Sequence, residues 1–340
     1  MAATTSLFAI AILLLSIQHT AEAQIGVCYG GSQNGDNLPS QQDVVNFYQS
    51  KGIQAMRMYA PYQATLQALQ STNIKVILDV PNDKLQSLAS DPSTAMEWVQ
   101  TNVVPFASSI KYIAVGNEIH PSDQEASSVQ PAMQNVLNAL KSNNLDDQIK
   151  VSTSIDTSLI TNSYPPSNGQ FSDISYVTPI INFLTSNGSP LLVNIYPYFS
   201  YRYGNKQDIT LDYALFKAPG NVVTDSNNNL NYQNLFDAMV DSVYAALGKA
   251  GAPNTAVVVS ETGWPSDGDG DAATVDNAGT YYRNLINHVN QGTPLKAGQA
   301  IETYLFEMFD ENKKPNDETE RHFGLFFPDQ HPKYGQINFS

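Results

Sequence analysis

Two glutamates stand at the ends of apolar runs, 143 residues apart (261 − 118): one in Val115-Gly116-Asn117-Glu118, the other in Ser260-Glu261-Thr262-Gly263-Trp264-Pro265. Both runs read as buried β-strands, so folding could deliver the two carboxyl groups from strand tips to one place. Such a pair is the minimum equipment for breaking a glycosidic bond. One carboxyl donates a proton to the leaving oxygen and the other meets the positive charge that develops on the sugar. Neither an amide nor a hydroxyl can fill either role. Each glutamate alone would be read as a solvated loop carboxylate, the common fate of that residue. The pair, in these two contexts, is an enzyme signal.

The elements that must position the pair recur along the chain. Apolar, β-branched runs occupy 25–29, 55–59, 75–80, 111–116, 149–154, 191–196, 256–260 and 301–309, and amphipathic stretches such as 123–141, 235–248 and 274–290 lie between such runs. Near-continuous apolarity without polar alternation fits parallel strands covered on both faces. Eight strand–helix repeats predict an α/β protein built as a single-domain (β/α)8 TIM barrel, with an elaborated region at 197–232 between strands six and seven. A doubly wound open sheet is the alternative, but no Gly-x-Gly-x-x-Gly turn follows any strand. In a barrel the functional groups sit at the C-terminal ends of the strands, where Glu118 and Glu261 both fall.

Residues 1–23 carry the apolar run from Leu7 to Leu15 and end in Ala21-Glu22-Ala23, the small-x-small pattern cut by a signal peptidase before Gln24, although no Lys or Arg precedes the run. The expectation is a secreted protein whose residues 24–340 form one catalytic domain. Cys28 is the one cysteine, so no internal disulfide is possible, and inside an apolar strand it reads as a small buried hydrophobe. The formal net charge is −15, which argues against nucleic acid and anionic membrane surfaces and leaves neutral polysaccharides open. A monomer is expected.

Taken together, the motifs resemble the plant glucan endo-1,3-β-glucosidases of glycoside hydrolase family 17. The resemblance is carried by Ile25-Gly26-Val27-Cys28-Tyr29-Gly30, Met56-Arg57-Met58-Tyr59, Tyr112 through Glu118, Lys150-Val151-Ser152-Thr153-Ser154, Asn194-Ile195-Tyr196-Pro197-Tyr198-Phe199, Val258 through Ser266, and Glu302 through Phe326. It implies a (β/α)8 fold, retention of anomeric configuration, Glu118 as acid/base and Glu261 as nucleophile. Retention requires carboxyls about 5–5.5 Å apart. Glu118 must arrive protonated and Glu261 ionised, so their environments should push the two proton affinities apart.

The resemblance also places Glu311, Lys314 and Glu320 at the catalytic end as auxiliaries that orient the nucleophile; a lysine close to Glu261 would favour its charge. Read without it, they belong to a solvated charged loop. Asn117 is expected to donate its amide to the sugar 2-hydroxyl. Among the aromatics, Tyr59, Tyr196, Trp264 and Phe309 stand at strand ends, and flat rings suit the apolar faces of glucose units. The acidic run Asp267-Gly268-Asp269-Gly270-Asp271 lacks the glycine and glutamate of a calcium loop, since Ala272 and Ala278 stand there, and the histidines show no metal spacing. Neither metal nor cofactor is expected. A β-1,3-1,4-glucan endohydrolase and a non-catalytic β-glucan-binding protein are the competing readings; the apoplast or cell wall is the expected location.

Overall fold

The computed structural model describes residues 23–339. The leader assigned to 1–23 therefore lies, except for Ala23, outside the described residues. Eight parallel strands close into a barrel: β1 (Ile25–Tyr29), β2 (Ala55–Met58), β3 (Lys75–Val80), β4 (Ile110–Asn117), β5 (Lys150–Asp156), β6 (Leu191–Asn194), β7 (Val257–Thr262) and β8 (Thr303–Leu305). β8 pairs with β1 through Ile25↔Thr303, Gly26↔Tyr304 and Val27↔Leu305, which leaves the barrel sheet without an edge. The open-sheet alternative is thereby excluded.

The strands are apolar on both faces because both are covered, by side chains within the barrel and by helices outside it. Among those helices are α1 (Gln41–Ser50), α2 (Val129–Ser142), α3 (Leu235–Lys249) and α4 (Val275–His288). Their first turns are fixed where a cap is present: Ser40 accepts from the Asp43 amide, Asn234 from that of Asp237, and Thr274 from that of Asn277. The helix expected from 123 begins later, at Val129, because His120 and Asp123 close a turn, with the His120 amide donating to Asp123 Oδ2 at 2.7 Å. Strand eight is shorter than its apolar run, since the chain bends after Leu305 and sends Phe306 and Glu307 to the mouth of the barrel. The 197–232 region forms two short helices and a hairpin that pack on α3; Tyr232 donates to Asp241 Oδ2 at 3.0 Å.

Two of the strand irregularities occur where the two glutamates need aiming. The β4–β5 register shifts between Ala114 and Asn117, and the β7–β6 register shifts between Val259 and Glu261. Shifts of this kind bend a strand and re-aim a side chain. Gly116 sits within the first at φ 86°, a conformation that disfavours any Cβ, and a Cβ there would also come within 3.1 Å of Leu85. Glu118 itself is left-handed, at φ 54°, with its amide donating to the Ser154 carbonyl at 2.8 Å. A glutamate in that region costs conformational energy, which the surrounding packing supplies.

Candidate active site

The C-terminal ends of the strands surround a cleft of about 640 Å³, and Glu118 and Glu261 both line it. Glu261, at the tip of β7, is almost fully buried. Its Oε1 accepts from Arg57 Nη1 at 2.9 Å and from the Tyr59 hydroxyl at 2.8 Å, and its Oε2 accepts from the Tyr196 hydroxyl at 2.8 Å. Three donors, one of them a cation, converge on that carboxylate and leave it ringed by charge-assisted hydrogen bonds. Burial and neighbouring carboxylates hold the Tyr59 and Tyr196 hydroxyls well above the usual tyrosine range, so both stay protonated as donors.

Glu118 has the opposite surroundings. Burial, reinforced by the charge of Glu261, pushes its carboxyl up to about 7, although the Asn194 amide donates to Oε1 at 2.7 Å and pulls the other way. A carboxyl that keeps its proton to neutral pH stands beside one ringed by donors. That is the division of labour expected of an acid and a nucleophile.

Arg57 lies beneath the cleft, fully buried in the barrel interior. It grips Asp79 at two points, Nη2 to Oδ2 at 2.7 Å and Nε to Oδ1 at 3.3 Å, and also donates to Asn194 Oδ1 at 2.9 Å and Asn117 Oδ1 at 2.8 Å. Burial opposes its charge, but the carboxylates of Asp79 and Glu261 outweigh that and hold it firmly protonated. Asn117 receives a second bond on Oδ1 from Asn194 Nδ2 at 3.0 Å, and the residue lines the cleft. With Oδ1 occupied from within, its amide NH2 is the end left for a ligand, as expected for a group that contacts a sugar hydroxyl.

The structure brings Glu311, Lys314 and Glu320 to the cleft wall. Lys314, however, pairs with Glu307 at 2.8 Å and Glu311 at 3.4 Å; the cation on Glu261 is Arg57. The expectation of a lysine beside the nucleophile is corrected accordingly: Lys314 is occupied by Glu307 and Glu311 on the cleft wall, and the cation reaches Glu261 from inside the barrel. Burial raises the proton affinities of Glu307 and Glu311, against the pull of Lys314. Burial likewise raises that of Glu320, and Glu261 adds to the effect. Gly30 makes room for this group, since a Cβ there would stand 2.2 Å from Glu311 Oε1.

Tyr59 and Tyr196 line the cleft, but their hydroxyls are committed to Glu261. Trp264 and Phe309 do not line it. Trp264 is fully buried, its indole N–H donating to the Ala272 carbonyl at 2.8 Å and its ring packed on Tyr198 and Tyr281; Phe309 stacks on Phe47 of α1. Both rings turn away from the barrel mouth into the packing behind it. Phe199, Phe306 and Phe323 take the cleft positions instead. Asp269 of the acidic loop accepts from Tyr198 at 2.9 Å, and among the described residues no cluster of His, Cys, Asp or Glu could hold a metal ion.

Arg57, Asp79, Asn194 and Glu307 were missed as functional residues from sequence. For the first two a signal was present: a charged residue in the middle of a strand otherwise buried on both faces must be paired. Glu307 carries the same signal inside the apolar run 301–309, whereas Asn194 is a neutral polar residue whose partners lie on other strands.

A closed barrel with two carboxyl groups on one cleft, one holding its proton and the other ringed by donors, defines a glycoside hydrolase. A family model described as glycosyl hydrolases family 17 matches residues 25–339, and the chain belongs to that family. It is similar to a glucan endo-1,3-beta-glucosidase of Vitis vinifera, 61% identical over 323 residues, 93% of this chain and 92% of the relative. An acidic isoform of glucan endo-1,3-beta-glucosidase from Zea mays is 54% identical over 339 residues, 98% of each chain. Among solved structures, a beta-1,3-glucanase and allergen of Cryptomeria japonica pollen superposes with a TM-score of 0.87 at 45% identity, covering 93% of this chain and 99% of that one. One of two plant beta-glucan endohydrolases described as having distinct substrate specificities gives 0.86 at 44%, covering 92% and 99%.

Proposed function

We propose that this chain is an endo-acting, retaining hydrolase of internal β-1,3-glucosidic bonds. The observation that carries the reading is the opposed setting of two carboxyl groups on one cleft: Glu118 held protonated to about pH 7, Glu261 held by Arg57, Tyr59 and Tyr196. In the first step Glu118 gives its proton to the glycosidic oxygen as the bond to the anomeric carbon breaks, and Glu261 attacks that carbon to form a glycosyl ester. In the second, ionised Glu118 takes a proton from water as the water oxygen attacks the same carbon, and Glu261 leaves as carboxylate. Glu118 regains its proton and the product keeps the β configuration. Two carboxyls and water complete the cycle without a cofactor.

Relatives named glucan endo-1,3-beta-glucosidase at up to 61% identity support the β-1,3 linkage. A mixed-linkage β-1,3-1,4-glucanase is the second reading, favoured by the structural neighbour described among endohydrolases of distinct specificities. Incubation with laminarin and with mixed-linkage barley glucan separates the two. Rapid release of mixed oligosaccharides from laminarin, with little from the barley polymer, supports the proposal; the reverse preference overturns it. A non-catalytic glucan-binding protein would release nothing from either.

A leader removed before Gln24 and export to the plant cell wall space as a monomer complete the proposal, with fungal wall glucan or callose as the natural polymer. No helix among the described residues is long and apolar enough to cross a membrane. Expression of the full chain in plant cells with an intact leader tests the route: mature protein beginning at Gln24 in the wall fluid is the expected result, and retention inside the cell with residues 1–23 attached contradicts it.

A further inference from the structure

Asn194, buried at the end of β6, contacts Glu118 directly and reaches Glu261 through Arg57. Its Oδ1 accepts from Arg57 Nη1 and from the Ser154 and Ser260 hydroxyls, each at 2.9 Å. A guanidinium offers donors only, so turning the amide over would set NH2 against N–H; the orientation is fixed by its neighbours. Nδ2 must then face the cleft, where it donates to Glu118 Oε1 at 2.7 Å and Asn117 Oδ1 at 3.0 Å. In a protonated carboxyl the carbonyl oxygen is the better acceptor. An amide N–H aimed at Oε1 therefore selects that atom as the carbonyl and leaves the hydrogen on Oε2.

We propose that Asn194 is a positioning residue that assigns the acidic hydrogen of Glu118 to Oε2, and that the same amide ties the acid to the Arg57–Glu261 ion pair. The inference rests on Glu118 being the acid/base. Oε2 is then the atom that protonates the glycosidic oxygen and later takes the proton from water. Once Glu118 is ionised, the Asn194 N–H stabilises the carboxylate, so one hydrogen bond serves both halves of the cycle. The charged groups that act on Glu118 come from three other strands: Glu261 on β7 and Asp156 on β5 oppose its ionisation, and Arg57 on β2 favours it. Asn194 adds a neutral donor in direct contact, which can be removed without changing the charge of the site.

Two variants test the assignment. Asn194→Ala removes the amide, while Asn194→Leu keeps a similar side-chain volume and offers Glu118 neither an N–H nor a new charge. Carboxyl-carbon NMR titration of Glu118 in the free protein needs no substrate. Its midpoint should move upward in both variants, by roughly half a pH unit or more. The value of kcat/KM on laminarin should fall about tenfold or more in Asn194→Ala, whereas on 2,4-dinitrophenyl β-laminaribioside, whose leaving group needs no proton, it should stay within about threefold. An unmoved titration in both variants overturns the proposal. Equal losses on the two substrates overturn it as well, because Asn194 would then act through the nucleophile. If the midpoints move as expected but the wild type hydrolyses neither substrate, the hydrogen-bond assignment stands and the hydrolase reading falls. Should Asn194→Ala not fold, the uncharged Asn194→Leu carries the titration.

Discussion

The two ends of the barrel each hold a glutamate gripped by one cation and two tyrosine hydroxyls. At the C-terminal end Glu261 has Arg57, Tyr59 and Tyr196; toward the N-terminal end Glu302 has Lys111 at 2.8 Å, Tyr112 at 3.1 Å and Tyr304 at 3.0 Å. The donor sets are nearly the same, yet only one end has the means for chemistry. The difference lies in what surrounds them. Arg57 is fully buried and shared with Asp79, Asn194 and Asn117, whereas the Lys111 side chain is 34% exposed. Above all, Glu261 faces a second carboxyl across a cleft, and Glu302 has no such partner among the described contacts. A donor-ringed carboxylate is a common structural device; the protonated carboxyl beside it turns the device into a catalyst.

Removing the two carboxyls tests that contrast most severely. Glu261→Ala should lower laminarin hydrolysis by about 10⁴-fold or more, as loss of a nucleophile does elsewhere. Azide should restore part of the rate by giving a glycosyl azide of inverted configuration. Glu302→Ala should leave kcat/KM within about twofold. Comparable losses in the two variants would mean that both carboxylates act through barrel packing.

Glu118→Gln should cost about 10² to 10⁴ in rate and remove the basic limb that wild-type kcat/KM should show near pH 7. The same variant has a stability signature. Because the proton of Glu118 is held more tightly in the folded protein, at about 7, than at the ordinary value of 4.5, its contribution to stability is complete below about pH 4.5 and is lost as pH rises through 7. Glutamine has no charge to bury. Thermal melts should show the variant gaining on wild type across that window, by roughly 1–3 kcal/mol in total, and levelling off above it. A constant difference at all pH values would contradict the raised proton affinity.

The ion pairs give the next contrast. Arg57→Ala strands two buried carboxylates and should destabilise the fold by about 3–5 kcal/mol in denaturant unfolding. Lys111→Ala, at a partly solvated pair, should cost under about 1 kcal/mol. At the fine end, Tyr59→Phe removes one hydrogen bond to a charged oxygen and should lower kcat roughly 10- to 100-fold, whereas Tyr112→Phe should leave it unchanged. A drop in both would mean that the hydroxyls act through barrel packing.

Much of the site was legible before the fold was known, because a parallel barrel converts a local rule into a global one: buried apolar runs become strands, and their C-terminal residues become the mouth. Glu118, Glu261, Asn117, Tyr59 and Tyr196 follow from it. Trp264 and Phe309 do not, since being near a strand end fixes where the backbone goes and not which way a ring turns; beyond β7 and β8 the chain bends, and both rings fold back into the packing. Lys314 was readable as a cation at the mouth but not as the partner of Glu307, because a long side chain reaches several acids from one backbone position. Asn194 depends on a network drawn from β2, β4, β5, β6 and β7, and no window of sequence contains it.

In the proposed mechanism Glu118 and Glu261 act on one sugar from opposite faces in two displacements. Proton NMR of the first products released from laminarin tests it directly, read before the anomers equilibrate. β-Anomeric reducing ends on oligosaccharides of mixed length are expected; α-anomeric ends would exclude the two-step mechanism.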